Sequence, residues 1–468
     1  MQAASLAVLL AGVSSYVLYA RKARYQRIKA AHVTYARRHG LAAPPLLTRP
    51  RGSKAPTRAE LPMTPAEAQE FFVIPNLSFE MPFLMQKAFE FALFLTYGIE
   101  SISEILESTR EFLDLEKAGR RYTDTTLLIM SWVRYPIVGP GSGAPEGREG
   151  QPLDPRGAIA IARTRVLHSH YKITNDDMLY TLSTFILEPA KWAAAFDWRP
   201  FTPLEEMAFH VFFSETGRRL GITDIPEELQ DLKDWAEAYE AANMLPSETC
   251  ATVAAATTRL LLLSVPKRLI PFAEQVVATL LYDRLRESIL VPAPPPLLRT
   301  LVHSTLHLRA FVIRHLFLPR RQSQGEKLVP DPEEYPAFPK GYIPLDQPLP
   351  EGGETAAMAE KKKEANFAPL AHPEQFYTEP WYMPEPTGFG ALKAKLLLAL
   401  KITGEDQTPS KRFRPDGYRL ETLGPVKREG TELQTVQDLA EQIHGGRLEG
   451  PYAVGGAPKG RCPFAFAG

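Results

Sequence analysis

Residues 202–221 read TPLEEMAFHVFFSETGRRLG. Thr202 can cap a first helical turn, Pro203 suits the first helical position, and Glu205 stands three residues after the cap, where its carboxylate can reach back. Gly221 closes the run with the residue that most easily adopts left-handed backbone. The pattern predicts a helix from Thr202 to about Leu220. The same 3.6-residue periodicity recurs on both sides. Over 83–106 the apolar positions are Leu84, Ala88, Phe91, Leu95, Ile99, Ile102 and Leu106, with an interruption at Tyr97-Gly98. Thr123 opens another helix through Leu127, Leu128, Ile129 and Trp132. Further helices are expected over 157–171, 176–187, 229–244, 248–263, 266–290 and 296–318. No strand pattern of any length survives. The expectation is an all-α protein: a single multi-helix globular domain over 65–320, with an N-terminal transmembrane anchor and a Pro-rich, irregular C-terminal tail.

The chain has 468 residues, 44% hydrophobic and 23% charged, which excludes a disordered or collagenous chain. Its two cysteines, Cys250 and Cys462, cannot build a disulfide framework or a structural zinc site. The 43 prolines cluster. Residues 136–156 form a Gly/Pro loop. After Arg320 the chain is irregular, and only 390–400 and 433–443 look helical. This tail, 321–468, is expected to be partly ordered, with extended segments wrapped on the helical body.

Residues 3–20 carry no charge. As a helix they span about 27 Å, enough for a thin bilayer. Lys and Arg follow the run rather than precede it, beginning at Arg21, which reads as an anchor (1–20) with a luminal N-terminus and a cytosolic body. A mitochondrial presequence is the alternative. Between Arg21 and Arg58 there are eleven Lys or Arg and no acid. This stretch, 21–64, is read as a basic juxtamembrane linker attracted to anionic lipid. The rest of the chain is net acidic, which argues against nucleic acid.

Standard catalytic motifs are absent: no phosphate loop, no G-x-S-x-G, no H-E-x-x-H. His303 and His307 lie among Arg299, Arg309, Arg314 and His315, a solvated or lipid-facing basic stripe. The segment around Arg163, Arg165 and His168 is different. It is flanked by Ile159, Ile161 and Val166, so its cations must be paired, hydrogen-bonded or facing a cavity. A buried ion-pair network with Asp124, Asp176, Asp177 or Asp283 is one reading, and a site is the other. Tyr122, Tyr180 and Arg286 are further polar groups inside patterned helices.

Several blocks together bring out a resemblance. FALFLTYGIESISEIL (91–106), RRYTDTTLLI (120–129), ARTRVLHSHY (162–171), DDMLYTLSTFILEP (176–189) and FDWRPFTPLEEMA (196–208) resemble, in order and spacing, the fungal ER-bound oxygenases of the mpaB type. YDRLR (282–286), RPDGYRLETLGP (414–425) and GRCPF (460–464) extend it into the tail. That family resembles, in its catalytic domain, the latex-clearing rubber oxygenases. The resemblance implies a single ER anchor, a helical catalytic domain, and oxidative cleavage of a carbon–carbon double bond in a lipophilic isoprenoid- or polyketide-like substrate. It also implies haem b or another iron centre. In the rubber-oxygenase branch the axial histidine lies on the helix after an arginine-bearing one. Here that following helix, MLYTLST (178–184), has none; the resemblance to the fungal relatives matches His168 better and His170 more weakly, so a haem ligand is His168 or lies elsewhere, or the cofactor differs. Arg163 or Arg165 becomes the candidate stabiliser of negative charge. Tyr122, Asp124, Asp177, Tyr180, Asp283 and Arg286 are supporting candidates. A non-catalytic lipid- or partner-binding relative and a metal-dependent hydrolase are the rival readings.

Overall fold

The computed structural model describes residues 2–50, 52–112, 114–144, 154–263, 265–321, 380–415, 417–448 and 452. Its order is α1 (Gln2–Arg24), α2 (Gln26–Arg38), α3 (Pro65–Ala68), two π-helical turns (Gln69–Val73 and Asn76–Glu80), α4 (Pro82–Thr96), α5 (Glu100–Ser108) and α6 (Leu115–Arg134). Then follow α7 (Arg156–His168), α8 (Asn175–Phe196), α9 (Pro203–Leu220), α10 (Leu229–Asn243), α11 (Glu248–Leu261) and α12 (Ile270–Ala278). The last are α13 (Asp283–Ser288), α14 (Pro296–Leu316), α15 (Gly388–Ala399) and α16 (Leu433–His444). The fold is all-helical, and no strand occurs among the described residues. The terminal GRCPF block, residues 145–153 of the 136–156 loop and residues 322–379 lie outside them.

The signals at 202–221 form as read. Thr202 accepts from the Glu205 amide, Glu205 accepts in return from the Thr202 amide at 2.7 Å, and Gly221 sits at φ +91°. α9 is buried around nearly its whole circumference and is the central helix. Its charged side chains are therefore paired. Glu205 receives Arg199 at 2.6 Å and Asn76 at 2.8 Å. Arg219 pairs with Glu215 at 2.9 Å and donates to the Val138 and Pro140 carbonyls.

Two expected boundaries shift for reasons of packing. α8 does not stop before Pro189 but runs on to Phe196. The proline removes one helical hydrogen bond. The buried Trp192 and Ala193 hold the last turns in place, with the Trp192 ring 5.0 Å from that of Phe91 on α4. The helix expected over 266–290 breaks into a 3-10 turn, α12 and α13. The break frees Tyr282 to donate to Glu188 at 2.6 Å, while Leu281 and Leu285 remain in the core.

The basic arm is not a free linker. α2 buries Ile28, His32, Tyr35 and Ala36 against the body. Its arginines and those of the following strap find the body's acids: Arg27 with Glu80 at 2.7 Å, Arg38 with Glu67 at 3.2 Å, Arg49 with Glu206 at 2.9 Å and Arg58 with Glu227 at 3.3 Å. The excess of bases in 21–64 and the acidity of the remainder thus meet across one intramolecular contact. Local sequence could not show this, because the partners lie up to 169 positions away.

The described part of the tail packs on α6 and α7. Arg163, fully buried, donates to three tail carbonyls: Leu423 at 2.6 Å, Arg428 at 2.6 Å and Thr431 at 2.9 Å. Arg120 on α6 pairs with Glu429 at 2.8 Å and lies over the Trp381 ring. Gly424 is required where the tail crosses α7. Its φ is +141°, and a Cβ there would sit 3.0 Å from Leu167 and 3.3 Å from the Arg163 guanidinium.

Candidate active site

A cavity of about 250 Å³ lies between α4, α5, α6, α7, α8, α11 and the tail loop. Its walls are mainly apolar, with Leu93, Ile102, Ile105, Leu106, Phe112, Leu128, Ile129 and Trp132 on one side and Leu167, Met178, Phe185 and Leu260 on others. Gly424, Pro425 and Arg428 of the tail also line it. The tail therefore helps to enclose the cavity rather than merely decorating the body.

His168, the last residue of α7, faces this space. Its Nδ1 is buried without a hydrogen-bond partner. Burial, and then the nearby Arg121 charge, push its pKa down to about 4. A helix C-terminus should favour a charged imidazole by about 0.3–1 kcal/mol. A shift from 6.5 to about 4 corresponds to roughly 3 kcal/mol, so desolvation wins. His168 is consequently neutral near pH 7, with a nitrogen lone pair and no protein partner for it.

Arg121, on α6, shares the cavity. Its guanidinium lies 4.9 Å from the Phe112 ring, and no carboxylate among the described residues forms an ion pair with it. Burial lowers its pKa, with Tyr171 and Tyr97 opposing the shift. Sequence reading did not nominate this residue, although it lies in the 120–129 block. A signal existed: positions 121, 125, 128 and 132 share one face of α6, so of the adjacent arginines 120 and 121 the second falls on the cavity stripe.

The other nominated residues separate. Arg163 is absent from the cavity lining because its guanidinium is committed to the three tail carbonyls. Arg165 is exposed and reaches only the Arg219 carbonyl at 3.4 Å. His170 pairs with Glu432 of the tail at 2.7 Å. Tyr122 lines the cavity, and burial followed by Glu90 raises its pKa well above the usual phenol value. Asp177 borders the cavity but accepts hydroxyls from Ser101, Thr174 and Tyr239, each at 2.7 Å, and so ties α8 to its neighbours. Tyr180 is stacked on Tyr239 and donates to Glu240 outside the cavity. Asp283 and Arg286 form a surface pair at 3.5 Å, away from the lining residues. The ion-pair reading of this arginine cluster therefore fails for Arg163, whose partners are carbonyls rather than Asp124, Asp176, Asp177 or Asp283.

Asp124 lies at the seam between cavity and tail. It accepts from Tyr382 at 2.7 Å and from the Gly424 amide at 3.1 Å, with Arg120 at 3.7 Å. Burial raises its pKa to about 7, against the lowering effects of Arg120 and these donors. Between about pH 4 and pH 7 the folded protein keeps a proton that the unfolded chain has lost. The stability this contributes is complete below about pH 4 and is lost as pH rises to 7. Asp124→Asn, which stays neutral, should flatten this part of the pH dependence. Melting temperatures measured from pH 4.5 to 7.5 check it: equal slopes for both proteins would show that Asp124 is ionised throughout.

Five of the quoted sequence blocks converge here, supplying α4–α5, α6, α7, α8 and the tail loop. Comparison with known proteins agrees with that convergence. The catalytic-domain model described as "ER-bound oxygenase mpaB/B'/Rubber oxygenase" matches residues 105–313. ER-bound oxygenase mpaB' of Penicillium brevicompactum is 29% identical over 433 residues, 87% of each chain. ER-bound oxygenase mpaB of Penicillium roqueforti (strain FM164) is 36% identical over 227 residues, 45% of this chain and 71% of that protein. The mpaB of P. brevicompactum is 33% identical over 283 residues, 57% of this chain and 62% of that protein. The class is thus an oxidoreductase, a helical oxygenase whose cavity is closed in part by its own tail. Within that class, the chain belongs to the ER-bound oxygenase mpaB family.

Proposed function

We propose that this protein is a membrane-anchored oxygenase that cleaves a carbon–carbon double bond in a lipophilic, isoprenoid- or polyketide-like substrate bound in the cavity. The observation that supports this reading is the combination, inside one apolar space, of an unprotonated imidazole lacking a protein partner and a guanidinium lacking a carboxylate. His168 would hold the iron of haem b, or of another iron centre, through one ring nitrogen. The donor set suits a group that brings most of its own ligands, because no group of three His, Cys, Asp or Glu converges among the described residues. The same observation speaks against the hydrolase reading, whose catalytic zinc needs about three protein ligands. When bound, such a group supplies the dioxygen chemistry that amino-acid side chains lack.

The chain's own residues do the remaining work. The apolar walls bind the substrate and exclude water, which strengthens any charge interaction within. Arg121 takes the role that sequence gave to Arg163 or Arg165, stabilising negative charge that develops in the cavity. The apolar run of α1, with Arg21, Lys22 and Arg24 in its last turn, anchors the protein in an ER-type membrane with its short N-terminus luminal and the body cytosolic.

The test starts with an absorption spectrum and iron analysis of the purified full chain, followed by oxygen uptake with prenylated compounds. A Soret band with stoichiometric iron is expected. A colourless protein that also fails reconstitution with haem and with iron would overturn the cofactor assignment. In the active protein, Arg121→Gln should lower turnover by about 10²–10³-fold while retaining cofactor, the range found for removing one stabilising donor. Unchanged turnover would remove Arg121 from the machinery.

A further inference from the structure

We propose that α14 is a second membrane contact, an interfacial helix whose outer face is buried in the cytosolic leaflet beside the anchor. The inference rests on the reading of α1 as the membrane span. Leu297, Leu301, Leu308 and Phe311 follow one another at helical spacing and are all more than half exposed. A soluble protein has no reason to present such a stripe to water.

Two observations identify what covers it. The first is position. α14 packs along α1, and Tyr16 of α1 donates to the Leu316 carbonyl at the end of α14 at 2.8 Å. Tyr16 precedes Arg21, the first cation after the apolar run, by five residues, about 7 Å along the helix axis. The end of α14 is therefore held at a depth where α1 is still within apolar lipid. The second is charge. α14 contains Arg299, Arg309, Arg314 and three histidines, and no acid. Arg299 and Arg309 reach body carboxylates, Asp283 at 3.4 Å and Asp197 at 3.9 Å, which leaves Arg314, near the end held by α1, as the cation that suits anionic head groups. The body side of the helix is fixed independently, since His303 engages the Thr279 carbonyl at 3.0 Å and Arg309 lies over the Phe83 ring. The apolar stripe lies on the outward side.

The test uses the full chain with Cys462→Ser, because the other cysteine, Cys250, is buried. A bimane probe is placed by Leu301→Cys or Leu308→Cys, with Leu9→Cys as the anchor reference and Glu237→Cys on exposed α10 as the aqueous reference. The protein is reconstituted in vesicles of phosphatidylcholine and phosphatidylinositol containing acyl-chain nitroxide lipid. Probes at 301 and 308 should be quenched to within about twofold of the Leu9 probe, as for an apolar face set into the acyl boundary. Quenching at Leu9 with none beyond the Glu237 level at 301 and 308 would overturn the proposal and leave the anchor standing. No quenching at Leu9 would defeat the anchor reading, and this proposal with it. Probes at 301 and 308 shielded from aqueous iodide yet untouched by lipid nitroxide would mean a protein cover, a second copy or the 322–379 segment, and would also overturn it.

Discussion

With the proposed iron centre held at His168, His168→Ala should abolish the Soret band and bound iron of the purified protein and lower oxygen uptake by at least about 10²-fold, beyond the 10–100-fold typical of merely perturbing a ligand's support. The reason is local. No other imidazole among the described residues lines the cavity. His210 is turned to the Pro226 carbonyl, His32 lies between the Pro45 carbonyl and Thr202, and His170 is held by Glu432. Fold should be largely kept, because His168 makes no hydrogen bond that its loss would orphan. The check is iron content and spectrum beside a melting curve. A His168→Ala protein that melts normally and retains full cofactor would show that the ligand lies elsewhere.

Arg163→Ala is the second large effect, and it is an effect on stability. Three carbonyls lose their donor at once, two of them at 2.6 Å. Hydrogen bonds to a charged group contribute about 1.5–3 kcal/mol each, but they are not additive, so a loss of about 3–5 kcal/mol is expected. Burial lowers the Arg163 pKa, with only distant help from Glu432 and Asp124. The charge therefore depends on those carbonyls. Arg163→Lys cannot serve all three from one ammonium and should restore only part of the stability. Limited proteolysis should cut within 420–432 in the alanine protein before the helical body is attacked. Melting and cleavage like those of the parent would show that the tail is held by other contacts, such as Arg120 with Glu429.

The two variants separate roles that the sequence had merged. ARTRVLHSHY placed two arginines and a histidine on one helix, and a shared helix suggested a shared site. On the folded chain α7 has a cavity side, which carries Thr164, Leu167 and His168, and a tail side, which carries Arg163. The distinction depends on where residues 423–431 cross α7, about two hundred and sixty positions later. Nothing in local periodicity encodes that crossing. Arg121 was hidden for the converse reason. One arginine beside another on an amphipathic helix reads as a solvated pair until a cavity is known to lie on that face.

What the sequence determined by itself is what short-range physics controls. The caps and periodicity of α9, the pause at Tyr97-Gly98 between α4 and α5, the two tail helices, and an apolar run followed by cations all depend on residues within a few turns of one another. The resemblance of short sequence blocks, in their order and spacing, pointed to the family for the same local reason. Tertiary structure alone decided which polar residues meet. It paired the basic arm with the body's acids, carried α8 through Pro189, moved Arg163 from the cavity to the tail, and brought Arg121 and His168 into one apolar space. Burial produces these outcomes. A charge removed from water must find a partner or a cavity, and which of the two it finds depends on contacts between segments far apart in the chain.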